Sequence, residues 1–337
     1  MADKPICTYC TEIAVYVDRI SGTHSCANHL MKSVEHRVFQ EIQPYLCNDS
    51  SNASSACRAA SMTIGVAFSG GKDSTALLAA LSSLQGKCDI SLIALTIDEG
   101  IFGYREDTIN HAKMVCKKLD VPHVIISFSE LFGASLDELM ARFNQDSTVT
   151  TSPGQSNNQP CDTARACTIC GILRRRALEI LAEREQISVL VTGHNQNDAA
   201  QTFLMNLFSG DLKKMAAGSP GTIGSSRFSH RVKPFSTVSE REVVLYGVLR
   251  GYFAELVECP YAHQALRGEV RNILSELEYK NPGTIAHIAE CERTVRNELV
   301  KRRSSLHTKA LIPCKICGWP GSHNICQVCA TLSRFNQ

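Results

Sequence analysis

No apolar run in this sequence approaches the ~18 residues needed to cross a bilayer. Its opening stretch, Met1 to Cys7, has neither the apolar core of a secretory signal nor the Arg/Ser-rich character of a transit peptide. A soluble, cytoplasmic protein without a membrane partner is expected. An excess of charge is missing as well, since 35 Lys+Arg stand against 33 Asp+Glu for a net +2. That excludes a global basic field for holding nucleic acid, so any such surface must be local. Wholesale disorder is excluded in turn, because 44% hydrophobic and 20% charged residues are globular proportions. The 337 residues suffice for about two domains of ~150 residues with a sizeable core.

Cysteine, by contrast, is plentiful, with sixteen in the chain. Without a secretion signal that number points to metal or redox chemistry rather than to a disulfide framework. Cys7-x2-Cys10 is followed after fifteen residues by Cys26-x2-His29, and Cys314-x2-Cys317 after eight by Cys326-x2-Cys329. Each set supplies the ligands of one tetrahedral Zn2+, giving two Zn2+ in all. Complete sets leave no open coordination position, so these sites are expected to fold the termini rather than to catalyse. His24 and His323 are read as bystanders.

After a Ser/Asn/Ala-rich connector between Gln43 and Ser61, strands and helices alternate. Strands are expected at Met62 to Phe68, Ser91 to Ile97, Val124 to Phe128 and Ser188 to Val191. The helices between and after them span Ser74 to Leu84, Glu106 to Leu119, Ser135 to Phe143, Thr168 to Arg184 and Asp198 to Phe208. This predicts an α/β fold with a doubly wound, mostly parallel sheet. Residues 146–166, dominated by Ser, Thr, Asn, Gln and Pro, are expected to be a flexible insertion. Glu240 to Ala254, Ala262 to Leu277 and Pro282 to Arg302 read as helices.

Ser69-Gly70-Gly71-Lys72-Asp73-Ser74 joins the first core strand to its helix, at the sheet end where such folds bind ligands. Two glycines allow close backbone approach to an anion, the helix start faces it, and Lys72 with the Ser69 and Ser74 hydroxyls adds donors. The spacing is not that of a Walker A loop. The competing reading is a glycine-rich turn that only caps a helix. Cys167 and Cys170 precede or open the next long helix, where the dipole and Arg174 to Arg176 should favour thiolate. With Cys259 they make three thiolates, which fit an iron–sulfur site with one open iron or a nucleophilic cysteine with its resolving partner. A third zinc site, unliganded buried thiols, and Cys161 as a fourth ligand are the alternatives. Asp98 and Glu99 end the second strand and face either a nucleotide with Mg2+ or a turn. Asp198 is either a catalytic carboxylate or the cap of its helix. Val300-Lys301-Arg302-Arg303 is a solvated face or a phosphate contact.

The loop Ser69 to Ser74 resembles the PP-loop of the ATP pyrophosphatase superfamily, whose members adenylate their substrates. Ile97-Asp98-Glu99-Gly100-Ile101-x-Gly103-Tyr104-Arg105, Cys167-x2-Cys170-Gly171-x2-Arg174-Arg175, Thr192-Gly193-His194-Asn195-x2-Asp198 and Glu258-Cys259-Pro260-Tyr261 follow in order. Together with both terminal sets they resemble the tRNA 2-thiouridine synthetases, the cytoplasmic tRNA 2-thiolation protein 1 family and its TtuA-type relatives. The likeness covers Cys7 to Leu332. It implies an ATP-dependent tRNA-uridine 2-sulfurtransferase that uses ATP, Mg2+ and a [4Fe-4S] cluster on Cys167, Cys170 and Cys259. Lys72, Asp73 and Asp198 would be catalytic, with Ser69, Gly70, Gly71, Ser74, Asp98, Arg174, Arg175 and Gly193 at the nucleotide or cluster. The family's Asp-Asp pair is here Asn197-Asp198, so only Asp198 keeps the catalytic assignment. The implied partners are tRNA, a second copy of the chain, and sulfide or a ubiquitin-like thiocarboxylate carrier as sulfur donor. The expected division is 1–46 (zinc module), 61–255 (PP-loop domain), 256–305 (helical segment) and 306–337 (zinc ribbon-like module). The rival readings are a PP-loop amide or amidine ligase and a zinc-bearing tRNA-binding subunit of weakened catalysis.

Overall fold

The computed structural model describes residues 5–46, 62–147, 162–187, 189–211, 214–215, 229–252, 258–261, 266–304 and 311–335. At its centre lie β3 (Met62–Ala67), β4 (Ile90–Asp98), β5 (His123–Ser127), β6 (Val189–Thr192) and β7 (His230–Val232), after an N-terminal β1–β2 pair (Tyr16–Val17, His24–Ser25). These five form one parallel sheet in the order β5-β4-β3-β6-β7. Sequences such as Ile64-Gly65-Val66-Ala67 and Ala94-Leu95-Thr96-Ile97 suit this place because a central parallel strand is covered on both faces. Ile64 pairs with Leu92 on one side and Val189 on the other, which sets the register of the middle strands.

Alternation of side chains along the strands divides the core in two. Ile64, Val66, Phe68, Leu92 and Ala94 face a layer made by α1 (Ala27–Leu46), α2 (Lys72–Gln85), α3 (Arg105–Leu119) and α8 (Glu240–Leu249). Leu95, Ile97 and Leu190 face the other layer, made by α4 (Phe128–Phe132), α5 (Leu136–Ser147), α6 (Asp162–Arg184) and the C-terminal cysteine set. The doubly wound α/β fold is therefore present. α7 (Gln196–Phe208) packs with α9 (Leu266–Lys280) and α10 (Thr284–Ser304) in a third cluster around Ala200, Val270, Leu274 and Ile285. The chain ends in a β8–β9 pair (Ile312–Pro313, Pro320–Gly321) and α11 (Gln327–Leu332). Among the described residues no helix is long and apolar enough to cross a membrane.

Several elements differ from expectation, among them α5, which runs on to Ser147 instead of ending at Phe143. α6 starts at Asp162, inside the expected insertion, and 148–161 lie outside the described residues together with Cys161. Its buried stripe already includes Ala166 with Ile169, Cys170, Leu173 and Ala177. Alanine and cysteine are weak hydrophobic signals, so the period was hidden in a polar-looking stretch. β7 was not expected, because three residues give too short a run to reveal period two. α8 ends at Leu249 rather than at Ala254.

The N-terminal set is not an appendage. Its helix α1 buries Leu30, Val34, Val38 and Ile42 in the first core layer, each at 1% exposure or less.

Candidate active site

The chain winds outward from β3 through β4 to β5 and then returns to β6 on the opposite side of β3. Open α/β sheets bind ligands at this reversal, beyond the carboxyl ends of the strands. Ser69 to Ser74 leave β3 there and turn into α2. Gly70 has φ +82°, and a Cβ on it would lie 2.2 Å from the Thr108 carbonyl oxygen, so the fold itself requires glycine. Gly71 is different. Its φ is −75°, and a Cβ would meet nothing closer than Ser69 Oγ at 3.4 Å, so glycine there keeps the backbone open to an approaching group. Gly71 is also the N-cap of α2, and no side chain caps the helix. Its first N–H groups are thus placed to receive an anion. The hydroxyls of Ser69 and Ser74 stand 3.1 Å apart beside them.

Gly193, in the loop after β6, forms the facing wall. A Cβ there would come within 3.0 Å of Asp73 C and Ser74 N, so the loop lies directly on the start of α2.

Lys72 and three carboxylates meet at this place. Lys72 Nζ lies 2.6 Å from Glu240 Oε1 and 3.1 Å from Asp73 Oδ1. Burial alone would lower the Lys72 pKa, but Asp73 and Glu240 outweigh it and hold the ammonium. Burial pushes the Asp73 carboxyl up, Lys72 opposes this, and Asp198 and Glu240 add to it. Asp198 and Asn195 form a capping box on α7, with Asn195 N donating to Asp198 Oδ2 at 3.1 Å and Asp198 N to Asn195 Oδ1 at 3.2 Å. Asp198 Oδ1 also faces Arg267 Nη1 at 3.6 Å. The N-cap of α7 is thus Asn195 rather than Asp198, which closes the capping box from the third helical position while its carboxylate also lies in this cluster. Asn197 Oδ1 accepts the Glu240 N–H at 3.1 Å and so pins the start of α8.

The acidic pair after β4 divides its work. Asp98 Oδ1 accepts the Gly100 N–H at 2.9 Å, as in a turn, whereas Glu99 is turned inward and is 3% exposed. Glu99 contacts Arg105 and Arg174, each at 2.7 Å.

Cys167 and Cys170 lie inside α6, one and two turns past its start, which corrects the expectation of thiols at a helix N-terminus. Burial pushes both up, Cys170 to about 11, with the Arg174 charge acting against it. Burial thus opposes the thiolate form that a helix start would have favoured. Cys259 is brought to the same place from far along the sequence, packing against the core layer that contains Cys170, while Cys167 Sγ donates to the Tyr261 carbonyl at 3.3 Å. Arg174 Nη2 donates to Cys170 Sγ at 3.1 Å. Burial and the Arg231 and Arg174 charges lower the pKa of Arg175. Arg176 instead stacks on Trp319, with its guanidinium 4.2 Å from the ring centre, and so ties α6 to the C-terminal set.

At each terminus four ligand atoms lie within 4.8 Å of one another: Cys7, Cys10, Cys26 and His29, and Cys314, Cys317, Cys326 and Cys329. Cys10–Cys26 and Cys317–Cys326 Sγ separations are both 3.7 Å. A tetrahedral ion with metal–sulfur bonds of ~2.3 Å has edges of ~3.8 Å, so both sets could hold one. Cys314 Sγ accepts the Cys326 N–H at 3.3 Å, and this bond with others from the backbone holds its pKa at about 6, favouring the ligating form. His24 and His323 belong to neither set. Among the described residues no third group is drawn in so closely. Cys167, Cys170 and Cys259 do not close to the spacing of a one-ion site, and three thiols are a donor set for a cluster with one open iron.

A PP-loop domain model matches residues 38–148. The tRNA 2-thiolation protein NcsA of Haloferax volcanii is 33% identical over 96% of this chain and 97% of its own length. The chain belongs to the tRNA 2-thiolation protein family. Cytoplasmic tRNA 2-thiolation protein 1 of Aspergillus niger is 34% identical over 81% of this chain and 74% of its own. Among solved structures, the U34-tRNA thiolase NcsA from Methanococcus maripaludis with its [4Fe-4S] cluster superposes with a TM-score of 0.73. It has 26% identity and covers 99% of this chain and 97% of that one.

For this member of the tRNA 2-thiolation family, sequence reasoning had located the loop, the cysteines and Asp198. It missed Glu240, whose contact with Lys72 spans 168 positions. The only local signal was the capping box Ser239-x-x-Glu242, which marks a helix start and says nothing of Lys72. Arg267 and the inward turn of Glu99 were missed for the same reason. Of the basic cluster at 300–303, Lys301 pairs with Glu298 at 2.8 Å, and the side chains of 302 and 303 lie outside the described residues.

Proposed function

We propose that this chain is a cytoplasmic tRNA-uridine 2-sulfurtransferase acting on U34. The observation that carries this reading is that an anion-receiving loop and three cysteines occur together at the carboxyl edge of one sheet, in a chain related over nearly its whole length to tRNA thiolation proteins. The α2 N–H groups and the Ser69 and Ser74 hydroxyls receive the β,γ-phosphates of ATP, and Lys72 offsets their charge. Asp73 and Asp198, with Glu240 beside them, are the carboxylates available to Mg2+, which takes one or two such ligands together with substrate phosphates. The uracil O2 attacks the α-phosphorus, and pyrophosphate leaves. Sulfur then adds at C2, and AMP departs with the original oxygen. Cys167, Cys170 and Cys259 would hold a [4Fe-4S] cluster, which supplies an iron without a protein ligand at which sulfide is held. Arg174 fixes Cys170, and Arg175 adds positive charge nearby. Asp98 shapes the β4 turn beside the nucleotide. The donor is sulfide or a ubiquitin-like thiocarboxylate carrier, and the working unit is a homodimer. Formation of 2-thiouridine at position 34 of tRNA, with AMP, tests the reading.

We assign residues 61–255 to the PP-loop domain, 256–305 to a helical segment, and 1–46 and 306–337 to modules that each hold one Zn2+ and clasp tRNA. Small metal sites of this type draw folding energy from the ion. Cys326→Ala is expected to halve the zinc content and lower the Tm, as read by elemental analysis and calorimetry; unchanged zinc would refute the site. Gly193→Ala is expected to push the β6 loop from α2 and raise the ATP Kd on the order of 10-fold, since sub-ångström misplacement of a binding wall is costly. Isothermal titration with circular dichroism as the control checks this.

A further inference from the structure

Glu99 is a buried acid that the proposed chemistry does not use. It follows the last residue of β4, with its side chain 4% exposed. A carboxylate in such surroundings is costly unless it is paired. Here two guanidiniums meet it: Arg105 Nε lies 2.7 Å from Oε2 and Arg174 Nε 2.7 Å from Oε1. The Arg105 N–H is not aligned on Oε2, so that contact is held by charge rather than by a directed hydrogen bond.

Each guanidinium has a second hold. Arg105 Nη1 donates to the Ser69 carbonyl at 3.2 Å, in the first residue of the nucleotide loop, and Nη2 donates to the Ile97 carbonyl. Arg174 Nη2 donates to Cys170 Sγ at 3.1 Å. The turn that presents Glu99 is itself fixed. Its carbonyl accepts the Leu136 N–H at 2.8 Å, and the next residue, Gly100, has φ +66° with Ser135 so close that a Cβ would lie 2.6 Å from it. Ser69, Arg105, Glu99, Arg174 and Cys170 thus form an unbroken line of contacts from the loop to the cysteines.

We propose that Glu99 is the positioning residue that couples the two halves of the active site, holding Arg105 against the nucleotide loop and Arg174 against the Cys170 sulfur. The inference rests on the reading that the loop takes ATP and that the three cysteines hold the cluster. Two guanidiniums against one carboxylate leave one net positive charge, which Arg174 presents to the sulfur. Hydrogen bonds and charge at a ligating sulfur set a cluster's reduction potential. Nucleotide on the loop therefore shifts that potential by moving the same line of contacts.

The test is a redox titration of the anaerobically reconstituted holoprotein, followed by electron paramagnetic resonance, with and without ATP and without tRNA. The wild-type midpoint is expected to shift when ATP is added. Glu99→Gln keeps the volume but removes the charge; it is expected to load the cluster and bind ATP while losing the shift. Arg174→Lys should recover part of the shift that Arg174→Gln loses, which a merely structural role would not produce. A wild-type midpoint indifferent to bound ATP, or a full shift in Glu99→Gln, overturns the coupling alone. Should Glu99→Gln fail to fold, Arg174→Gln at its half-exposed position decides the matter. If wild-type protein takes up no cluster or binds no ATP, the functional reading beneath the proposal fails with it.

Discussion

Lys72→Ala is expected to cut ATP-dependent AMP formation by at least about 10²- to 10³-fold, the loss typical of removing a single preorganised donor from developing charge, or ~3–4 kcal/mol of transition-state stabilisation. The structure makes the loss larger than that of one donor. Lys72 is the cation that stands between Asp73 and Glu240, with Asp198 also acting on Asp73. Without it, these carboxylates would repel one another and the incoming phosphates. Lys72 sits at the first turn of α2, about a third exposed, so alanine leaves the helix intact. The check is AMP release in the presence of tRNA, with circular dichroism and zinc content as controls. Full AMP formation in Lys72→Ala would remove the loop from the active site.

The second large effect is expected at the cysteines. Replacing Cys167, Cys170 and Cys259 together with alanine should abolish 2-thiouridine formation while ATP binding is retained, because the loop and α2 make no direct use of these side chains. Cys170 is 7% exposed in the second core layer, and Cys259 packs partly against that layer, so three small-to-smaller changes there cost stability without emptying the core. Nucleoside mass spectrometry and isothermal titration separate the two outcomes. Thiolation that survived the triple change would place the sulfur chemistry elsewhere in the chain.

What was legible beforehand follows from how far each signal extends along the chain. Four ligands in the spacing of Cys7 to His29 are a local pattern, and the fold draws them together. Strands such as Ile64 to Ala67 declare themselves because burial on both faces makes them continuously apolar. The two glycines of the loop were legible as a pair, yet for different reasons: Gly70 packs against α3, and Gly71 is left open. Other features depended on contacts no window contains. Cys167 and Cys170 looked like the start of a helix because the residues before them are polar and small, and the true start at Asp162 reverses the argument about their thiols. Glu240 reaches Lys72 from a helix 168 positions further along the chain, and Asn197, which reads as a lost carboxylate, pins that glutamate's helix through a bond an aspartate could also accept. Glu99 looked like Asp98's twin until the turn at Gly100 sent one to the backbone and the other into the core.

The most direct test is to incubate unmodified tRNA anaerobically with the reconstituted protein, ATP, Mg2+ and sulfide, and to measure nucleosides and AMP together. The account predicts 2-thiouridine, mapped to position 34, accompanied by AMP. AMP without thiolation would leave the adenylating loop standing and contradict the role given to the cysteines. Neither product, from protein with its metals in place, would contradict the enzyme itself and leave a metal-bearing tRNA-binding subunit.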